Sequence, residues 1–526
     1  MSAIAMLLAA AAAAHALARW TRLPAPPLLI LGGIALNASG LTPPALLQNA
    51  LILGVAFLLF IAGLELNPRR VGAQGRAAAR IAIIQFLALG GVGLFLARLL
   101  AFPWTAAAYL GLALTASSTL VVVRILRERG QMFEPFARLV LGVLLLQDLF
   151  VTLLVPALTR APDGFGNAAL GTAAVAILVA VSMLGLRRVS PRIVSRLESD
   201  QELLLIVVLG LLFTFIGASR ILGLPVIVGA FLAGVSLASF PADGIVRSQL
   251  APIGDFFLAV FFTALGGLIG SPSTHALVAA AVLTAAVVLL TPPLVTVLAE
   301  RAGLSARAGI ESGLLLAQTS EFSLVVGLSG LLAGHISNEV FTVIALVTMV
   351  TMILTPLIGT DAMTWRLMRL HPSRAHALTE ARPANHVVLL GCGETGMPLL
   401  ETLLASGEAL LVVDDDAAIT QRLVEGGIDC VRGDASDPAV LDQARIARAR
   451  LIISTVRRTV DNLVVLERAR GVPTIVRVFD PIEAERISRA GGQPIVSAIA
   501  AAHDFLRWFD EADKVDVLRE RRRHTR

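Results

Sequence analysis

The stretch LLLQDLFV, residues 144–151, sets a carboxylate, Asp148, beside an amide, Gln147, inside an apolar run. A carboxylate in such surroundings is costly unless it is neutralised, hydrated or paired. It can hold a proton or a metal cation, and holding one disfavours the other. With a pKa near the pH of the adjoining cytoplasm, such a group swaps the two. Two further polar clusters interrupt apolar runs. ALTASSTLVV (113–122) carries Thr115, Ser117, Ser118 and Thr119; AQTSEFSLV (317–325) carries Gln318, Thr319, Ser320 and a second carboxylate, Glu321. Taken singly, these are a protonated Asp bonding between helices and small-residue packing. Taken together, they describe a cation site lined by Asp148, Gln147 and unwound backbone.

The elements that must position these groups are membrane spans. The chain has 526 residues, of which 15% are charged, and a mean hydropathy of +0.80. Residues 1–360 form a succession of apolar runs, each long enough to cross about 30 Å of hydrocarbon. Thirteen spans are expected, near 3–18, 25–40, 46–65, 78–97, 104–123, 138–158, 166–186, 202–220, 224–240, 254–270, 275–298, 308–333 and 338–360. The N-terminal run is read as the first span rather than a signal peptide, because Arg19 and Arg22 follow it and no positive charge precedes it. Arginines 69, 70, 76 and 80, 124–138, 187–196, 247, 301 and 307 also follow odd-numbered spans, whereas even-numbered ones are followed by Arg98, Arg160 and Arg220. The positive-inside rule then sets the N-terminus outside and the C-terminal part in the cytoplasm. The arginines are topology anchors and not a nucleic-acid patch. Spans 1–6 and 8–13 make two halves of opposite orientation around span 7, the inverted-repeat plan of secondary transporters. The polar clusters at 115–119 and 318–321 are then the fifth spans of their halves, as expected of broken helices that cross at mid-membrane. No Walker motif is present and the only lysine is Lys514, so hydrolysis-driven pumping has no support.

A linker, 361–384, leads to a second domain, 385–503, of ordinary soluble composition, and then to a basic tail, 504–526, read as disordered. HVVLLGCGETG reads as a strand, a glycine-rich turn and a helix start, with Gly391, Gly393 and Gly396 completing G-x-G-x-x-G around Cys392, Glu394 and Thr395. A second strand ends at Asp414 and Asp415, and a third leads to Gly433, Asp434 and Ala435. This is the order of a Rossmann-like α/β unit: glycines admit phosphate to a helix N-terminus and the acid takes ribose hydroxyls. The expected ligand is an adenine nucleotide, AMP, NAD(H) or ATP, bound as a regulator. No catalytic acid or base accompanies the loop, so the chain is not read as an enzyme. Cys392 and Cys430 form no metal motif; Cys392 reads as a small filler, a redox role being the alternative.

These stretches, with FLLFIAGLEL (57–66), VGAFLAGVSL (228–237) and FFTALGG (261–267), resemble the monovalent cation:proton antiporter-2 family, in particular its Kef-type potassium:proton branch. The resemblance implies an NhaA-like membrane domain with Asp148 as ion-binding aspartate, Gln147 beside it and Glu321 in support. It also implies electroneutral exchange of one H+ for one cation, K+ rather than Na+, in a bacterial inner membrane. A sodium:proton antiporter and a channel-like potassium efflux protein are the alternatives. Gly266–Gly267 stands where the family usually has Gly-Met. Residues 385–500 resemble the nucleotide-binding lobe (TrkA-N) of RCK domains, which implies phosphate at the glycine-rich loop, ribose at Asp414, adenine beside 433–435, a homodimer, and the option of an ancillary regulatory protein.

Overall fold

The computed structural model describes residues 2–510 except 22, 40–43, 66–74, 133, 161–200, 222–225, 239–242, 372–375, 378–384 and 394. The expected span 7, 166–186, and Glu394 therefore lie outside the described residues. The chain divides into two compact units, Met1–Ala302 with Ala308–Leu367, and Gly303–Arg307 with Met368–Arg526.

The first unit is helical. Its elements are α1 (Ser2–Thr21), α2 (Ala25–Ala38), α3 (Pro44–Glu65), α4 (Gly75–Leu99), α5 (Trp104–Ala113), α6 (Thr119–Glu128), α7 (Pro135–Arg160), α8 (Gln201–Ile221), α9 (Val226–Ala238), α10 (Asp243–Gly266), α11 (Thr274–Arg301), α12 (Ala306–Leu316), α13 (Glu321–Leu332), α14 (Asn338–Ile358) and α15 (Asp361–Leu370). Among the described residues, seven helical segments are long and apolar enough to cross a membrane, and shorter apolar helices accompany them. Large apolar side chains such as Leu87, Phe95, Ile206 and Leu289 are exposed, as suits helices whose outer faces meet lipid rather than water.

Two spans are broken. The first is α5 and α6, parted at 114–118; the second is α12 and α13, parted at 317–320. Neither break contains proline or glycine. The first break reads Leu-Thr-Ala-Ser-Ser and the second Ala-Gln-Thr-Ser; their short polar side chains offer the backbone alternatives to its own i→i−4 bonds. Each half-helix of 10–12 residues rises about 15–18 Å, half the hydrocarbon thickness, so both breaks fall at mid-depth.

The two halves also pack alike. A Cβ on Gly33 of α2 would lie 2.0 Å from the Thr263 carbonyl oxygen and 2.9 Å from the Cα of Gly266 on α10. A Cβ on Gly234 of α9 would lie 2.0 Å from the Phe60 carbonyl oxygen and 2.9 Å from the Cα of Gly63 on α3. Spans 2 and 10 thus touch through the same backbone-to-backbone contact as spans 9 and 3, which is what an inverted repeat demands. At Gly267 a Cβ would meet Leu47 at 2.9 Å; Leu47 fills the space that a larger residue there would need.

The second unit holds a seven-stranded sheet in the order β1-β4-β3-β2-β5-β6-β7, with β1 (His376–Ala377), β2 (Val387–Leu390), β3 (Leu410–Asp414), β4 (Cys430–Arg432), β5 (Leu451–Ser454), β6 (Thr474–Val478) and β7 (Gln493–Val496). All neighbours are parallel except β1, which pairs antiparallel with β4. Helices α16 (Gly396–Ala405), α17 (Ala417–Glu425), α18 (Pro438–Gln443), α19 (Thr459–Ala469) and α20 (Pro481–Arg489) connect the strands, and α21 (Ser497–Asp510) ends the described chain. From β4 to β7 this is the doubly wound order, whose switch point lies between β2 and β5. Strand β1 falls inside the expected linker. Helix α21 continues to Asp510, past the expected domain end at 503, because the alanine-rich SAIAAAHDFLRWFD is a good helix former.

Candidate cation site and nucleotide cleft

The crossing of the two broken spans brings the first two polar clusters together. Each break caps the other. The Ser117 hydroxyl donates to the carbonyl of Leu316, the last residue of α12, at 2.8 Å. The Ser323 hydroxyl donates to the carbonyl of Ala113, the last residue of α5. Groups at helix C-termini lack intrahelical donors, so this exchange satisfies carbonyls that lie far from water. The second halves start with their own caps: Ser118 accepts from Val121 N–H and Ser320 from Phe322 N–H. Glu321, the first residue of α13, accepts from the Ser118 hydroxyl at 2.9 Å. Its charge there is favoured by the helix dipole.

Helix α7 delivers the third cluster to the same place. The Gln147 side-chain oxygen accepts from Ser117 N–H at 3.1 Å, and Thr119 donates to the Asp148 carboxylate at 3.3 Å. Both α7 residues are buried, as are Thr115, Ser117, Ser118, Gln318 and Glu321. Thr115 turns away and donates to Leu112 O at 2.7 Å. Among the described residues, the Gln147 amide nitrogen and the Gln318 side-chain oxygen have no hydrogen-bond partner. Gln318 Nε2 is spent on Leu315 O. A buried acceptor left open is costly, and a cation or its water is the ligand it suits. Seven of the eight residues expected at the site thus bond across, or lie in, one crossing, with Thr115 at its margin. Sequence reasoning missed Ser323, whose role is visible only once the two spans cross.

Replacing Glu321 tests its place in this crossing. Glu321→Gln keeps an oxygen for the Ser118 hydroxyl but removes the charge, so exchange should fall about tenfold, not vanish. Initial rates in vesicles check this; complete loss would move Glu321 into the ion-carrying role.

In the second unit, the glycine-rich loop lies at the switch point. Gly391 has φ +82°, a conformation open to glycine. A Cβ on Gly396 would lie 2.1 Å from Gly391 O, whereas one on Gly393 would meet nothing within 4 Å. Tight turn, close packing and open approach are the three glycine roles that phosphate binding at a helix N-terminus needs. Arg477 reaches this end of the cleft and donates to the Thr395 hydroxyl at 2.5 Å. Asp414 staples the loop: its carboxylate accepts from Cys392 N–H at 2.5 Å and from Asp416 N–H at 2.8 Å. Burial raises its pKa above the ordinary carboxylate value, against the pull of those N–H bonds. A second lone pair on each oxygen remains for ribose hydroxyls. Asp415, the residue after that strand, is exposed. Asp434 accepts from Ser436 N–H at 2.8 Å and from Arg307 at 3.1 Å, the segment Gly303–Arg307, which opens α12, belonging to this second unit. Burial pushes its carboxyl up, but Arg307 and the Ser436 hydrogen bonds together outweigh burial and hold it low. Its side chain is thus committed to these partners, and Gly433 and Ala435 flank it. Cys392 is buried, and burial, then the Asp414 charge, push its thiol up to about 11. That suits a filler and not a nucleophile.

Residues 4–364 match the family model "Sodium/hydrogen exchanger, transmembrane", and residues 387–498 match the TrkA-N domain. The chain is 28% identical over 465 residues to the glutathione-regulated potassium-efflux system protein KefC of Salmonella schwarzengrund, covering 84% of this chain and 73% of that one. It is 29% identical to the protein of the same name from Shigella flexneri, with the same coverage. The sodium proton antiporter MjNhaP1 of Methanocaldococcus jannaschii shares the fold, with TM-score 0.53 and 16% identity over 70% of this chain and 98% of that one.

Proposed function

Given that the chain belongs to the sodium/hydrogen exchanger family of transmembrane cation:proton antiporters, we propose that it exchanges K+ for H+ one for one at Asp148, under the control of an adenine nucleotide bound at the Gly391–Gly396 loop. The observation that carries this reading is the placement of Asp148 and the neutral Gln147 at the crossing, with Gln318 offering an open oxygen there. Asp148 holds either a proton or a cation, and the amide at 147 keeps the field weak. A weak field compensates poorly for the water that small Na+ must shed, and less water must be shed by K+. The names of the relatives at 28–29% identity, potassium-efflux systems, point the same way. The nucleotide acts as a regulator if it binds two conformations unequally. The placement we propose is a bacterial inner membrane, with the N-terminus outside and the α/β unit in the cytoplasm. A second copy is part of the proposal: Ile495, Ile499, Phe505 and Leu506, on β7 and α21 at one edge of the sheet, are exposed.

Charge conservation gives the test. If each cycle carries one charge either way across the membrane, transport ignores voltage, whereas one uncompensated charge couples at about 2.3 kcal/mol per 100 mV. In proteoliposomes with an imposed potential and no pH gradient, proton flux should stay at baseline; with a K+ gradient it should exceed the Na+ rate. Flux that scales with the potential would refute the stoichiometry, and equal rates would assign the chain to sodium as readily as to potassium.

A further inference from the structure

Helix α14 is not part of the crossing, yet it presents buried hydroxyls to it. Thr348, Thr351 and Thr355 are inaccessible to solvent. Each donates to a carbonyl one turn back on its own helix: Thr348 to Ile344, Thr351 to Thr348, and Thr355 to Thr351, at 2.9, 3.2 and 2.9 Å. Threonine does this commonly in apolar helices. Two of the three hydroxyls also receive bonds, and these come from the break in the second crossed span. The Thr351 oxygen accepts from Thr319 N–H at 3.1 Å. The Thr319 hydroxyl donates to Thr348 Oγ1 at 3.1 Å and lies 3.2 Å from Thr351 Oγ1. The three hydroxyl protons are thereby all placed, and the break is held at both its backbone and its side chain.

Thr319 sits between Gln318 and Ser320, one residue from Glu321. Its N–H belongs to the stretch that a broken helix leaves without an i−4 acceptor. The cleft beside it, lined by Leu110, Leu114, Leu283, Ile344, Val347 and Thr348, has no room for a water molecule. No water therefore reaches Thr319 from that side.

We propose that Thr351, backed by Thr348, is a positioning residue for exchange: by fixing Thr319 it sets where Gln318 and Glu321 meet the cation. This rests on the antiport reading above. Thr351→Val keeps the shape and removes the hydroxyl. The half-saturating cation concentration of the full-length protein in proteoliposomes should rise about tenfold, the cost of leaving one buried donor unpaired, while the maximal rate stays within about twofold. Thr351→Ser should restore the wild-type value. Thr348→Val, which removes only the acceptor of the Thr319 hydroxyl, should give a smaller rise, about threefold; it serves if the first variant fails to assemble. Half-saturation unchanged in both valine variants overturns the proposal. So does a serine variant as impaired as the valine one, since packing would then be the cause. A lowered maximal rate with unchanged half-saturation overturns it as well. Wild-type protein without exchange overturns the antiport reading, and these outcomes are scored only against an active wild type.

Discussion

Asp148→Asn should abolish cation-driven proton movement, by at least about 100-fold, in protein that folds and assembles normally. Asparagine matches aspartate in shape and still accepts from the Thr119 hydroxyl, which lies 3.3 Å from the native carboxylate. What it lacks is a proton to give up and a charge to offer a cation, so the swap has no carrier. Another group would have to take over, and Glu321 is already engaged by Ser118 at the head of α13. Removing a buried charge costs the fold nothing in principle, so the melting temperature in detergent should match or exceed that of the wild type. Dequenching of a pH dye in vesicles, with K+ and with Na+, measures the effect. Near-normal flux from well-folded mutant protein would remove Asp148 from the mechanism.

The second large effect is expected at the nucleotide cleft. Gly393→Asp should lower adenine-nucleotide affinity at least about 100-fold, or about 2.8 kcal/mol, and leave the α/β unit folded. The two halves of that statement have separate grounds. A Cβ at 393 meets nothing within 4 Å, so the substitution is sterically free. The open space in front of the loop is where phosphate would approach, and a carboxylate there both fills it and repels it. Titration calorimetry of the purified chain with AMP, ATP, NAD and NADH gives the comparison. Equal heats from mutant and wild type would place the ligand elsewhere, and no heat from the wild type would end the nucleotide reading.

Much of this site could be read from the sequence because polar residues inside apolar runs are conspicuous. Asp148, Gln147 and the clusters at 115–119 and 318–321 stand out against their surroundings, and the structure gathers them at one crossing. The threonines of α14 did not stand out. A threonine in an apolar helix commonly bonds its own backbone, and nothing in the one-dimensional pattern separates Thr351, which also holds a neighbour, from Thr355, which does not. Reciprocal capping by Ser117 and Ser323 was hidden for a related reason: it joins residues about 200 positions apart. In the α/β unit, five strands were evident as short apolar runs: the three that lead to Gly391, Asp414 and Gly433, and two more in ARLIISTV (449–456) and PTIVRVFD (473–480). Strand β1 has two residues, and β7 contains Pro494, a residue confined to edges; neither gives a periodic signal. Asp414 was expected to serve ribose alone, and its bond to Cys392 N–H shows a second duty that spacing could not reveal.

The twin glycine contacts, Gly33 against Gly266 and Gly63 against Gly234, have a mechanical meaning. Backbones this close leave no space for a side chain: a Cβ at any of the four positions would lie within 2.4 Å of a carbonyl oxygen on the facing helix. In each pair, α2 with α10 and α3 with α9, the first methyl group added must push main chain from main chain, so the wall between the two halves tolerates no thickening at these four points.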